Sequence, residues 1–319
     1  MYLNATYQRN RDAPIRHEGE YSVDLLAAKA LGFLEEAAVQ SKPFFLGVAP
    51  AAPHSNVNGV VLDIPPDQPL KPLIGAVSPP IPAGRHKHLF KDVRIPRTAN
   101  FNPDKPSGAQ WIRELPQLDQ KSIDYHDHFY RQRLRTLQSV DELVNGVVAR
   151  LETLGLLDNT YIIYTTDNGY HISQHRLRPG KECGFEEDIN IPLIIRGPGV
   201  PAGLVTDVVT THVDLAPTIL GLAGAALRAD FDGLSIPLSA ASISDSKKSR
   251  HEHVTVEFWG LAVSEGGTAD DYFLTNNTYK AVRISGSRYN LYYSVWCSNE
   301  HELYDLEVST GRRPQISYP

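Results

Sequence analysis

The chain has 319 residues, 41% hydrophobic and 21% charged, which suffices for one large or two moderate domains and is too apolar for a disordered polymer. A formal net charge of −6 carries no basic excess that would recommend nucleic acid or an anionic membrane as a partner, and no apolar run approaches the roughly 20 residues that span a bilayer. Two cysteines, Cys183 and Cys297, exclude a disulfide framework and a thiolate-rich metal site, while one disulfide stays open.

The first twenty residues hold no apolar h-region and do not read as a signal peptide. Asn4-Ala5-Thr6 and Asn276-Asn277-Thr278 are N-glycosylation triplets, a weak pointer to a secretory glycoprotein. Residues 21–39 predict an amphipathic helix, because Val23, Leu26, Ala30, Phe33 and Ala37 recur at spacings of three and four. The run Pro43-Phe44-Phe45-Leu46-Gly47-Val48-Ala49 predicts a buried strand, followed by a loop that carries His54. Residues 56–122 are rich in Pro, Gly and Asn and predict a long irregular excursion, either over a site or as an insertion.

Residues 127–155 predict the longest helix, on a stripe that includes Tyr130, Leu134, Leu137, Val140, Leu143, Val147 and Leu151. Tyr161–Thr165 predicts a strand that ends in the polar turn Asp167-Asn168-Gly169, and Ile189–Ile195 a second buried strand. Asp214 is placed to cap a helix through Ile219 and Leu222. This alternation of helix and strand argues for a parallel α/β sheet. Three short β-rich runs follow, Val254–Trp259, Tyr279–Ser285 and Tyr289–Trp296, with Gly286-Ser287-Arg288 as a hairpin loop. A boundary is expected in the polar stretch Ser242–Arg250, giving domains 1–245 and 246–319, the second a small antiparallel α+β unit.

Several residues have the chemistry of a site. Asp167 and Asn168 offer two hard oxygen ligands beyond a strand end, where open α/β sheets bind ligands, and the same triplet also makes a plain turn. Lys181, after Pro179-Gly180, can set a point charge on a tetrahedral anion or lie solvated in its loop. His54 can donate to an oxyanion or do nothing. His171 and His175 are four apart and would share a helix face if helical. The nearby Gly169 and Pro179 argue against a helix and leave both as pocket-lining candidates.

Taken together these motifs resemble a known family. Thr165-Thr166-Asp167-Asn168-Gly169-Tyr170-His171, Gly180-Lys181, Glu186-Glu187-Asp188, Ile191-Pro192-Leu193-Ile194 and Arg196-Gly197-Pro198-Gly199 are similar to segments of the sulfatases, most of all the arylsulfatase and N-acetylglucosamine-6-sulfatase branch. Lys42-Pro43-Phe44-Phe45-Leu46 with Ala52-Pro53-His54 extends the resemblance upstream. Thr211-His212-Val213-Asp214-Leu215-Ala216-Pro217-Thr218 and Glu302-Leu303-Tyr304-Asp305-Leu306 extend it downstream. The resemblance implies an alkaline-phosphatase-like α/β sandwich with a mainly parallel sheet, a small C-terminal antiparallel subdomain, and hydrolysis of a sulfuric ester. It implies Ca²⁺ held partly by Asp167 and Asn168, Lys181 and His54 as catalytic groups on the sulfate, and His171 in the substrate pocket. A sulfated small molecule or glycan would be the substrate, in a family often secreted or lysosomal.

The sequence also departs from that pattern. Sulfatases use a formylglycine made within a Cys-x-Pro-x-Arg motif, whereas Cys183 opens CGFEE and Cys297 opens CSNEH. The only Asp-Asp pair, Asp270-Asp271, lies in the C-terminal region rather than after a first strand. The expectation is a chain that starts inside the catalytic domain and is inactive alone, since Asp167 and Asn168 cannot fill the roughly 6–8 oxygen positions of calcium. Two other readings compete: a non-catalytic remnant that binds sulfated ligands, and a phosphatase or phosphodiesterase of the same superfamily. The last is disfavoured because Asn168 is a poor zinc ligand.

Overall fold

The computed structural model describes residues 1–40, 42–57, 77–265, 273–274 and 277–309. Asn4–Tyr7 and Ile15–Glu18 form an antiparallel hairpin in the register Asn4↔Glu18. Helix Ser22–Ala38 follows and lies against helix Gln120–Thr153. The two predicted apolar stripes meet there: Tyr2, Val23, Ala52, Val140 and Leu143 form a buried cluster with Leu26, Leu137 and Val144 at its margin. Burying each large apolar side chain contributes about 1.5–3 kcal/mol, and the Arg150–Glu35 ion pair at 2.7 Å adds an exposed clasp of small worth.

The long helix starts at Gln120, a full two turns before the periodicity predicts. Asp119 caps it by accepting from the Ser122 N–H at 2.8 Å. Its first turns bury polar side chains, which hydrophobic periodicity cannot register. His126 is 0% exposed and bonds Ser173 Oγ through Nδ1 at 2.8 Å, while Asp127 accepts from the Ile95 N–H at 3.0 Å and pairs with Arg97 at 2.6 Å.

Two strand expectations change. Pro43–Ala49 carries no ladder among the described residues; Phe44, Leu46 and Val48 are half-buried and Phe45 is 71% exposed. The run has the alternation of a strand but no strand neighbour among the described residues. Ile162–Thr165 forms as expected, but its partner is Leu193–Arg196, paired antiparallel with Ile163 opposite Ile195. Every ladder among the described residues is antiparallel. The inference of a parallel sheet assumed a crossover helix, and between these two strands stands only the helical turn Glu186–Ile189. That turn also takes the start of the predicted strand Ile189–Ile195.

Asp214 does not cap helix Leu215–Leu222 with its side chain. It reaches back to the Thr211 N–H at 3.0 Å, accepts from the Leu234 N–H at 2.8 Å and pairs with Arg250, tying three segments together.

The C-terminal strands His253–Phe258, Tyr279–Gly286, Tyr289–Trp296 and His301–Asp305 make one antiparallel sheet in that order. The polar stretch expected as a boundary is mostly helix, Ala240–Ser249, capped by the Ser239 side chain on the Ser242 N–H. Tyr279, Ala281, Tyr292, Trp296 and Tyr304 pack into one buried cluster with Ile112, Leu177, Cys183 and Phe185. Both cysteines are free, Cys183 buried and Cys297 exposed. No described helix is long and apolar enough to cross a membrane.

Candidate functional site

The loop after Pro43–Ala49 is pinned on both sides of His54. The Tyr2 hydroxyl donates to the His54 carbonyl at 2.6 Å, and Arg133 Nη1 donates to the Pro53 carbonyl at 3.0 Å across a cis Ala52–Pro53 bond. His54 Nδ1 lies 2.9 Å from the Ser55 carbonyl. A carbonyl only accepts, so Nδ1 carries a proton there, and Nε2 faces the site.

Lys181 comes from the opposite side, on a loop fixed by close backbone approach. Gly169 N–H donates to the Asp188 carbonyl at 2.8 Å and Tyr170 N–H to the Glu187 carbonyl at 2.6 Å. Gly180 bridges to both His171 and Ser264, and a Cβ on it would stand 2.9 Å from the Val263 carbonyl oxygen. Glycine at 180 is therefore a packing requirement, and it delivers the next residue, Lys181, to the site.

Lys181 and His54 converge on a residue that sequence reasoning did not single out. Glu265 Oε1 lies 3.5 Å from Lys181 Nζ and 3.7 Å from His54 Nε2. Its Oε2 accepts from the Ser55 hydroxyl at 2.8 Å and the Tyr170 hydroxyl at 3.0 Å. Burial alone would raise this carboxyl, but the charges of His54 and Lys181 and the two hydroxyl bonds outweigh it and hold Glu265 below its ordinary value. Tyr170 is pushed far above its ordinary value by burial and by Glu265, which keeps it a neutral donor. The Arg133 guanidinium stacks 3.8 Å over the Tyr170 ring. No motif marks Glu265; its only sequence signal is an acidic residue between a β-rich run and a Gly-Gly pair.

Asp167 and Asn168 follow strand Ile162–Thr165 directly. Asp167 is exposed, and the Thr166 hydroxyl and Asn168 N–H both donate to its Oδ1, at 3.2 and 3.0 Å. Asn168 Nδ2 donates to the Gly169 carbonyl at 2.7 Å, which turns its amide oxygen the other way. The pair thus presents hard oxygens of the kind that suit Ca²⁺ or Mg²⁺. Asp167 and Glu265 both act electrostatically on Arg133.

His171 turns its side chain to Asp188. It is 4% exposed, with Nδ1 at 2.9 Å from both Asp188 oxygens. Burial lowers it, yet the Asp188 charge and hydrogen bond prevail and raise it overall. The ligand atoms of His171, Cys183 and Asp188 lie within 4.8 Å of one another, but Asp188 is already engaged, also accepting from the Cys183 N–H at 3.1 Å. His175 stacks on Phe185 at 4.0 Å between ring centres. Ser173, His175 and Arg176 have positive φ, so the two histidines share no helix face. Among the earlier candidates, the structure brings His54 and Lys181 together on Glu265, while the His171 side chain pairs with Asp188 and its backbone bonds Gly180, next to Lys181.

Comparison with known proteins places the chain in a family. The sulfatase family model matches residues 1–225. The chain is 42% identical to the sulfatase ppz1 of Metarhizium majus, over 97% of this chain and 63% of that protein. It is 33% identical to the N-acetylglucosamine-6-sulfatase of Bos taurus, over 99% of this chain and 56% of that protein. The chain thus spans less than two thirds of the length of these relatives. Among solved structures, BT4656 in complex with its substrate D-glucosamine-2-N,6-O-disulfate superposes with a TM-score of 0.72 at 20% identity, covering 96% of this chain and 67% of that one.

Proposed function

The chain belongs to the sulfatase family, and from that premise we propose that it contributes the His54–Lys181 side of a sulfuric ester hydrolase site. The observation that carries this is the convergence of His54 Nε2 and Lys181 Nζ on one anionic oxygen, at 3.7 and 3.5 Å. A lysine ammonium and an imidazole arranged around an anion suit a sulfate ester. As its S–O bond breaks, the bonding electron pair and negative charge pass to the leaving oxygen. Lys181 stabilises charge on the sulfuryl oxygens. His54 Nε2 faces the site, with Nδ1–H anchored on the Ser55 carbonyl; in the imidazolium form, with both ring nitrogens protonated, it would give its Nε2 proton to the leaving alkoxide or phenoxide.

Asp167 and Asn168 would hold part of a hard cation, Ca²⁺ in this reading, supported by the oxygen character of the pair and the exposure of Asp167. When bound, such a cation neutralises sulfate charge and polarises its oxygens. These 319 residues contain no Cys-x-Pro-x-Arg, so no nucleophile is assigned to them. Extension of Ile162–Thr165 into a mainly parallel sheet belongs to the same reading, and its edge opposite Leu193–Arg196 carries no ladder among the described residues. His171 would act on the substrate pocket from behind, through the loop it bridges to Gly180.

The substrate class proposed is a sulfated sugar or aryl sulfate. It is tested by titrating the purified chain with inorganic sulfate and with glucosamine 6-sulfate. Binding lost in both Lys181→Ala and His54→Ala is the expected result, and binding indifferent to both substitutions would overturn the assignment. Asn4 is exposed on its strand and open to glycosylation in a secretory setting; Asn276 lies outside the described residues.

A further inference from the structure

Glu265 is 7% exposed, and its position is set before its side chain is considered. Its N–H donates to the Pro179 carbonyl at 2.7 Å, and the Val263 N–H two residues earlier donates to Glu182 Oε2 at 2.9 Å. The C-terminal segment is thereby stitched to both sides of Lys181. The two carboxylate oxygens then do different things. Oε2 is fixed by the Ser55 and Tyr170 hydroxyls. Oε1 faces Lys181 and His54 at distances too long for strong hydrogen bonds and right for charge pairing. A carboxylate needed only to satisfy Ser55 and Tyr170 could be a neutral amide; the charge on Oε1 is what faces Lys181 and His54.

We propose that Glu265 is a positioning residue that serves as a built-in counter-anion, holding Lys181 and His54 in place when no sulfate is bound and weakening the site's grip on inorganic sulfate. Sulfate approaching Lys181 and His54 meets a like charge already opposite them. The free ion, a product of ester hydrolysis, is therefore held loosely and exchanges. This inference rests on the reading of His54 and Lys181 as the sulfate-binding pair.

The test is an inorganic sulfate titration of the 319-residue chain, followed by NMR of the His54 ring at constant ionic strength. Glu265→Gln keeps an oxygen for the Ser55 and Tyr170 hydroxyls and removes the charge. It is expected to bind sulfate at least about tenfold more tightly, which corresponds to ~1.4 kcal/mol, a direction that mere structural damage does not produce. Equal or weaker binding in Glu265→Gln, with wild-type binding abolished by Lys181→Ala, overturns this inference alone, whereas failure of both proteins to bind overturns the sulfate-site reading and this inference with it. Wild-type binding that survives Lys181→Ala overturns the underlying sulfate-site reading instead. A second measurement is independent of how the variant folds: in wild type, the Glu265 side-chain ¹³C resonance is expected to move on sulfate saturation, and an unmoved resonance also overturns the proposal.

Discussion

Gly169 packs against Glu187 so closely that a Cβ on residue 169 would stand 2.0 Å from the Glu187 carbonyl oxygen. This contact, rather than a free turn, is why glycine follows Asp167-Asn168. It locks the loop that carries the candidate metal ligands onto the one that leads to Asp188. Gly169→Ala is expected to destabilise the chain by about 3 kcal/mol or more, since overpacking against backbone cannot relax through a side-chain rotamer. Urea unfolding measures this, and a loss under ~1 kcal/mol would show that the loops yield easily.

Calcium provides the next prediction. Asp167 and Asn168 supply few of the roughly 6–8 oxygens that calcium takes, so the chain should bind it weakly. Asp167→Ala should remove that binding while shifting stability by no more than about 0.5 kcal/mol, because the side chain is exposed. Calorimetric titration that finds tight binding retained in Asp167→Ala would displace the ligands to another cluster.

Hydrolysis is expected to be absent. With calcium present, the 319-residue chain should not turn over an aryl sulfate, because no residue in it fits the nucleophile motif. Turnover that disappears in Lys181→Ala would show that some group in this chain replaces formylglycine.

Acid sensitivity follows from His126. Burial, aided by the charge of Arg178, drives it down to about 4 from an ordinary 6.5. Between those values the unfolded chain binds a proton that the folded chain refuses, so stability is full above pH 6.5 and falls as pH drops toward 4. Replacing His126 with Asn, which cannot ionise there and retains a partner for Ser173, should flatten that part of the curve. An unchanged slope in thermal melts across this window would place the titration on another group.

Glu182 works in the opposite sense. Burial pushes it up to about 7, against the Val263 N–H bond that pulls it down. Folded Glu182 keeps a proton that the unfolded chain releases between about 4.5 and 7, so its contribution is present at low pH and lost as pH rises through 7. Glu182→Gln should therefore gain stability relative to wild type as pH increases from 5 to 8, and a constant difference across that range would contradict the shift.

Much of this protein was legible in the order of its residues. The 3.6-residue stripes placed helices Ser22–Ala38 and Gln120–Thr153 and the faces they bury against each other. The β-rich runs placed the C-terminal hairpin, and the spacing of the motifs carried the family. Such features depend on neighbours a few residues apart, and backbone geometry converts that spacing directly into a face. Tertiary structure decided what depends on residues far apart in sequence. Phe44–Val48 has a strand's alternation but no described partner, and Leu193–Arg196 runs antiparallel because no crossover helix intervenes. Glu265 became visible only when folding brought it against Ser55, 210 residues away in the chain. A buried charge is held by partners that surround it in space, and their identity follows no sequence period.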